Sequence, residues 1–182
     1  MVFVIAALVL LMLAATALMR GRRRLLALDA KCEAAAAEVE AELARLHDLT
    51  PPLVGLMRAF APREREAIDA VAKAHAAAQR APSPQARLLA ETRLSDAVHR
   101  LVSQAEAVEQ IKSLQDFSAL RQEMVKAERR LVVARRRLSA MTDAYNRALG
   151  RFPENLFAMR LRLAPRVFYD IGAEQLAGEG VA

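Results

Sequence analysis

Almost everything that builds sheets or covalent frameworks is scarce in this chain. Its 182 residues include one cysteine, six glycines, seven prolines and only 4% aromatics. A lone cysteine, Cys32, cannot close an intramolecular disulfide, so no covalent framework holds the fold, and cysteine usage leaves the compartment undetermined. Few aromatics beside abundant Ala, Leu, Arg and Glu make a poor composition for strands and a good one for long packed helices. The chain therefore reads as all-α, with room for one ordinary domain and an appended segment.

Catalytic motifs are as scarce. The sequence has no Gly-x-Ser-x-Gly elbow, no phosphate loop and no dinucleotide fingerprint. Its three histidines, His47, His75 and His99, fall on different predicted helices. A di-iron bundle needs two Glu-x-x-His pairs and two further carboxylates, and only Asp96-x-x-His99 comes near one of them. The histidines thus read as surface or interface residues, with no metal and no cofactor expected. Cys32 lies on an apolar stripe and reads as a small core residue, not a nucleophile. Glu64 and Glu66 suit a helix start, where negative charge complements the dipole. The basic run "ERRLVVARRR" lacks interleaved aromatics and any reader motif, which argues against nucleic-acid binding. No catalytic residue emerges, and a non-enzymatic protein is the expectation.

What the chain does have begins at its start. Val2 to Met19, "VFVIAALVLLMLAATALM", is 18 residues without a charge, close to the length that spans a bilayer's hydrocarbon core. Arg20, Arg22, Arg23 and Arg24 follow at once. By the positive-inside tendency these arginines stay cytoplasmic, leaving a tiny N-terminus outside and residues 20–182 inside. A cleaved signal peptide is the rival reading, and Ala15-Thr16-Ala17 offers small residues for it. Against it, no basic region precedes the apolar run and the arginines lie on the wrong side.

Charge is also uneven further along. Residues 25–120 carry 11 Lys and Arg against 14 Asp and Glu, whereas residues 121–166 carry 12 against 4. The net charge of +6 therefore sits in the arginines after the apolar run and in the last long helix, a pattern suited to anionic lipid or an acidic partner. A solvated helix face would give the same pattern.

Apolar spacing sets the expected helices. Leu28, Cys32, Ala35, Val39, Leu43 and Leu46 form a stripe predicting a helix that ends near His47. Thr50 is expected to cap, and Pro51 to start, a next helix with Leu53, Leu56, Met57 and Phe60 inward. Pro62 should kink or restart the chain. Residues 80–85, "RAPSPQ", read as a loop, with Ser83 capping a helix that carries Leu94, Val98, Leu101, Ala105, Val108 and Ile111. Phe117, Leu120, Met124, Ala127, Leu131, Ala134, Leu138, Met141, Tyr145 and Ala148 alternate spacings of three and four. That heptad seam predicts coiled-coil-like packing. Val125 and Val132 lie off it and could meet a second neighbour.

Several of these residues fall into a known order. Asp48, Leu49 and Pro51 in "DLTPPLV", Phe60 and Glu64 in "RAFAPREREAIDAV", then Ala134-Arg135, Tyr145-Asn146 and Phe152-Pro153 resemble the motifs of the LemA family of membrane-anchored bacterial helical-bundle proteins. Thr50, Pro52 and Arg63 depart from the pattern, and Leu138-Ser139 stands where a first Tyr-Asn pair is expected. The resemblance implies an elongated antiparallel helical bundle behind a single transmembrane helix in the bacterial inner membrane, with no catalytic residues to carry over. The expected division is an anchor with its basic flank (1–24), a helical bundle (25–152), and a short amphipathic helix with a flexible tail (153–182). In that last segment Leu156, Phe157, Leu161 and Leu163 could cap the bundle or touch lipid beside Arg160 and Arg162, and capping is favoured. In "DAYNRALGRFPENL" the Tyr145 ring is expected in the core with its hydroxyl reaching outward, Gly150 just past a helix end, and Pro153 forbidding continuation. The stretch reads as a joint, not a site.

The expected function is a scaffold or interaction protein whose partners are the lipid bilayer and an unidentified protein, with self-association left open. The alternative is a bundle exported to the periplasmic side.

Overall fold

The computed structural model describes residues 1–160 and 162–166. Among them there are six α-helices and no strand. They are α1 (Val2–Phe60), α2 (Arg65–Gln79), α3 (Pro84–Ala107), α4 (Glu109–Lys112), α5 (Gln115–Leu149) and α6 (Glu154–Arg160). A 3-10 turn, Pro62–Glu64, separates α1 from α2, where Pro62 was expected to restart the chain. Leu161 and the segment beyond Arg166, including the expected tail, lie outside the described residues.

The largest departure from expectation is α1. It runs unbroken for 59 residues with Pro51 and Pro52 inside it, so no helix ends near His47 and none begins at Pro51. Each proline removes a backbone donor and costs about 3 kcal/mol in a helix interior. Two features hold the helix through that cost. The buried stripe continues past the prolines as Leu53, Val54, Met57 and Ala61, all at most 8% exposed, and burying each larger apolar side chain returns roughly 1.5–3 kcal/mol. In addition, the His75 ring of α2 lies against the His47 ring one turn before Pro51, their centroids 4.9 Å apart. Thr50 does not cap: it is buried, and its hydroxyl donates to the Leu46 carbonyl at 2.9 Å.

Smaller departures have similar causes. Phe60 is exposed and Ala61 takes the inward place, because the helix ends at that residue and the chain turns. The α3 seam does not reach Ile111 in one helix. Val108 is extended (φ −94°, ψ 106°), and the restarted α4 buries Ile111. Ser83 caps α3 as expected, its Oγ accepting from the Ala86 N–H at 3.2 Å. Along α5, Phe117, Met124, Ala127, Leu131, Ala134, Tyr145 and Ala148 are buried and Leu120, Leu138 and Met141 half-buried, so the three-four spacing marks its packed face. Val125 and Val132 are exposed.

The described chain groups into two compact units, residues 1–39 with 134–166 and residues 40–133. These units follow contacts, whereas the anchor, bundle and tail division follows composition. In the second unit Leu53, Met57, Ile68, Val71, Leu94, Leu101, Ile111, Phe117 and Met124 build one core. In the first, Leu25, Cys32, Tyr145, Ala148 and Ala158 form another, with Phe157 and Leu163 packed against it. Phe157 and Leu163 thus pack against protein in this unit, whereas the side chains of Leu156 and Leu161, named in the same expectation, lie outside the described residues.

Within the first unit α5 descends antiparallel to α1. Arg137 pairs with Glu38 at 2.9 Å, Tyr145 and Ala148 pack with Cys32 and Leu25, and Pro153 meets Gly21. A Cβ on Gly21 would lie 2.9 Å from Pro153 Cγ, so only glycine permits this approach. After α6, Arg162 takes the left-handed conformation (φ 52°). Its N–H bonds the Met159 carbonyl at 3.3 Å, and the Leu163 N–H bonds the Ala158 carbonyl at 2.9 Å, the Schellman pattern of a helix end.

Candidate functional site

The Tyr145-Asn146 pair organises the first unit. Asn146 projects from the last turns of α5 toward the extended segment after α6. Its Nδ2 donates to the Arg166 carbonyl and its Oδ1 accepts from the Arg166 N–H, both at 2.9 Å. The Arg166 side chain then reaches α1, where Nη2 and Nε donate to Asp29 Oδ1 at 2.7 and 3.1 Å and Nη2 donates to Glu33 at 3.3 Å. Its guanidinium carbon lies 5.6 Å from the Tyr145 ring centroid, a cation–π distance. Asp29 and Glu33 can share this partner because a spacing of four puts them on one helix face.

The electrostatics of this clasp are those of a lock. Tyr145 is 1% exposed, so its hydroxyl does not reach solvent as expected from sequence. Burial, with the Asp29 carboxylate, pushes its pKa up against the opposing Arg166 charge. Cys32, fully buried, is likewise pushed up by burial, which keeps it a thiol and a poor nucleophile. The clasp pairs its polar groups with one another and ties the segment after α6 to α1 and α5.

A second cluster lies in the other unit. His47 Nε2 donates to Glu91, 2.9 and 3.1 Å from its two oxygens, and Arg87 holds Glu40 in a bidentate pair at 2.6 and 3.2 Å. The His75 ring is 4.9 Å from that of His47. Burial first, then the His47 charge, holds the His75 pKa below the usual histidine value. Among the described residues no group of three His, Cys, Asp or Glu is placed as metal ligands. His99 pairs with Glu128 at 2.7 Å, not with Asp96. A shallow groove of about 500 Å³ is lined by Arg63, Glu64, Glu66, Asp96, Arg100 and Gln104, a face of mixed charge.

The residues expected from sequence thus separate. Tyr145, Asn146 and Pro153 come together in the first unit, whereas Phe152 beside them is 77% exposed. Arg135 is half-buried on α5. Asp48 and Pro51 are exposed, Leu49 and Glu64 half-buried, and Phe60 ends α1; these five do not form one constellation. Arg20, Arg22 and Arg23 are exposed, while Arg24 pairs at 3.6 Å with Glu154, a carboxylate buried to 5%. Gly150 does not adopt the left-handed conformation of a glycine cap. Reading the sequence missed Arg166, Glu154 and Gly21. The one available signal was the acidic pair Asp29 and Glu33, which needs a cation.

The N-terminal part of α1 behaves differently from every other helix. Its apolar window has a mean hydropathy of 2.3 and none of it is buried. Leu8, Leu10, Leu11, Met12 and Leu13 are each more than half exposed, where a soluble protein's core helix would cover them. Among the described residues one helix, α1, is thus long and apolar enough to cross a membrane. The fold defines an all-helical protein with an uncovered apolar N-terminal segment and a clasped helical body. More particularly, the LemA family profile matches residues 35–179, and the chain belongs to the LemA family. No curated protein matches the sequence.

Proposed function

We propose that this chain is a membrane-anchored, non-enzymatic scaffold whose helical body faces the cytoplasm and recruits a protein partner, in an envelope or membrane-compartment role. The observation that carries this reading is the uncovered apolar segment in direct helical continuity with the packed body. Val2 to Met19 supplies the span, and α1 continues without interruption into both compact units, so the body is coupled to the bilayer by a helix and not by a loose linker. The arginines at positions 20, 22, 23 and 24 support the cytoplasmic orientation. The pairing of the buried polar groups around Arg166 suits a structural role better than turnover.

Carbonate extraction tests the anchor. The full chain should stay with membranes at alkaline pH, and replacing Leu8 and Leu11 with Arg should release it, since each charge near the middle of a span costs about 2.5–3.5 kcal/mol. Release of the unaltered chain would remove the anchor and with it the scaffold reading.

A further inference from the structure

We propose that the turn joining α5 to α6, residues 150–153, is a second membrane contact: Phe152 enters the interfacial layer while Arg151, with Arg20, Arg22 and Arg23, binds the phosphates of anionic lipid. The inference rests on the anchor reading and adds to it a surface outside the span.

Position carries it first. Within the first unit the contacts step down α1 as α5 advances: Arg137 pairs with Glu38, Tyr145 and Ala148 share one core with Cys32 and Leu25, and Pro153 meets Gly21. Afterwards the chain climbs again, through Glu154 against Arg24 and Arg166 against Asp29 and Glu33. The turn is therefore the lowest point of the α5–α6 hairpin. Gly21 follows the last apolar residue, Met19, by two residues, about 3 Å along the helix axis. The interfacial layer on each face of a bilayer is about 5–8 Å deep, so the turn sits at headgroup level.

Chemistry agrees with that position. Phe152 is 77% exposed although its neighbours Pro153 and Glu154 are packed, and an aromatic ring at headgroup level is favoured. Arg151, Arg20, Arg22 and Arg23 are exposed and have no acidic partner among the described residues. Among the described residues, the carboxylate beside the turn, Glu154, is buried and turned to Arg24. Each basic residue close to an anionic surface contributes about 1 kcal/mol.

The chain contains no tryptophan, so a single introduced indole reports alone. Two full-length variants, Leu10→Trp and Phe152→Trp, would be reconstituted in phosphatidylcholine vesicles with and without phosphatidylglycerol, using acyl chains brominated close to the glycerol. With Leu10→Trp quenched, a blue-shifted Phe152→Trp emission that the bromines quench, more strongly with phosphatidylglycerol, is the expected result. Adding Arg151→Glu should weaken that lipid dependence. Water-like, unquenched emission from Phe152→Trp, or a blue shift without quenching from contact with protein such as a second copy, would overturn the inference while leaving the anchor in place. Failure of Leu10→Trp itself to be quenched would overturn the anchor reading and this one together.

Discussion

Asn146 shows how a single side chain can hold two distant parts of a chain. It makes both main-chain bonds to Arg166, and Arg166 makes the contacts to Asp29 and Glu33. Asn146→Ala leaves the Arg166 N–H and carbonyl without these partners, a loss of about 1–3 kcal/mol. Hydrogen exchange at the Arg166 amide should accelerate in that variant, and unchanged protection would refute the clasp. Arg162 offers the opposite sign. An L-residue in the left-handed region costs about 1–2 kcal/mol, so Arg162→Gly should raise the melting temperature, and a lower one would contradict the helix-end geometry. His75 carries a pH dependence. Its folded pKa lies below the value of about 6.5 in an unfolded chain, so below that pH the unfolded state binds more protons and stability is lost as pH falls toward the folded pKa. Urea melts of His75→Gln should lose less stability between pH 7 and pH 5 than the native chain; an identical loss would refute it. Tyr145 and Asn146 were legible as a motif. Arg166 was not, because its partners lie 133 and 137 residues away and no periodicity links them.

Among the helices, α1 and α5 show what pattern reading captures and where it fails. The three-four spacing along α5 found its buried face because repeated burial leaves a repeated trace. Leu131, 7% exposed on that face, makes the point testable: Leu131→Arg places an unpaired charge in the packed face and should cost several kcal/mol. A thermal melt unchanged by this substitution would show that the face is misassigned. Pro51 and Pro52 were read as a break because local chemistry says so. Tertiary packing overrode them, through a stripe that continues on their far side and a histidine from α2 that lies against His47 one turn before them. Neither feature is visible in the few residues around the prolines. Val108 erred the other way, since an apolar seam that crosses a break looks the same in sequence as one that does not.

For the molecule as a whole, the uncharged run was legible as a long uncovered helix, because a window with no charge has no polar face to turn to water; the orientation drawn from the four arginines belongs to the proposal. In the proposed reading the span and the body share α1, so the orientation of the span would fix the side on which the body lies. The proposal thereby ties the arginines to function, since cytosolic and periplasmic partners are mutually exclusive. The measurement that tests this most directly is thiol labelling in intact spheroplasts. Cys32→Ala removes the buried native thiol, and Ser113→Cys places one at an exposed position after α4. A membrane-impermeant maleimide should label this variant only after lysis. Labelling before lysis would put the helical body outside, contradict the orientation drawn from Arg20 to Arg24, and make a periplasmic binding module the correct description.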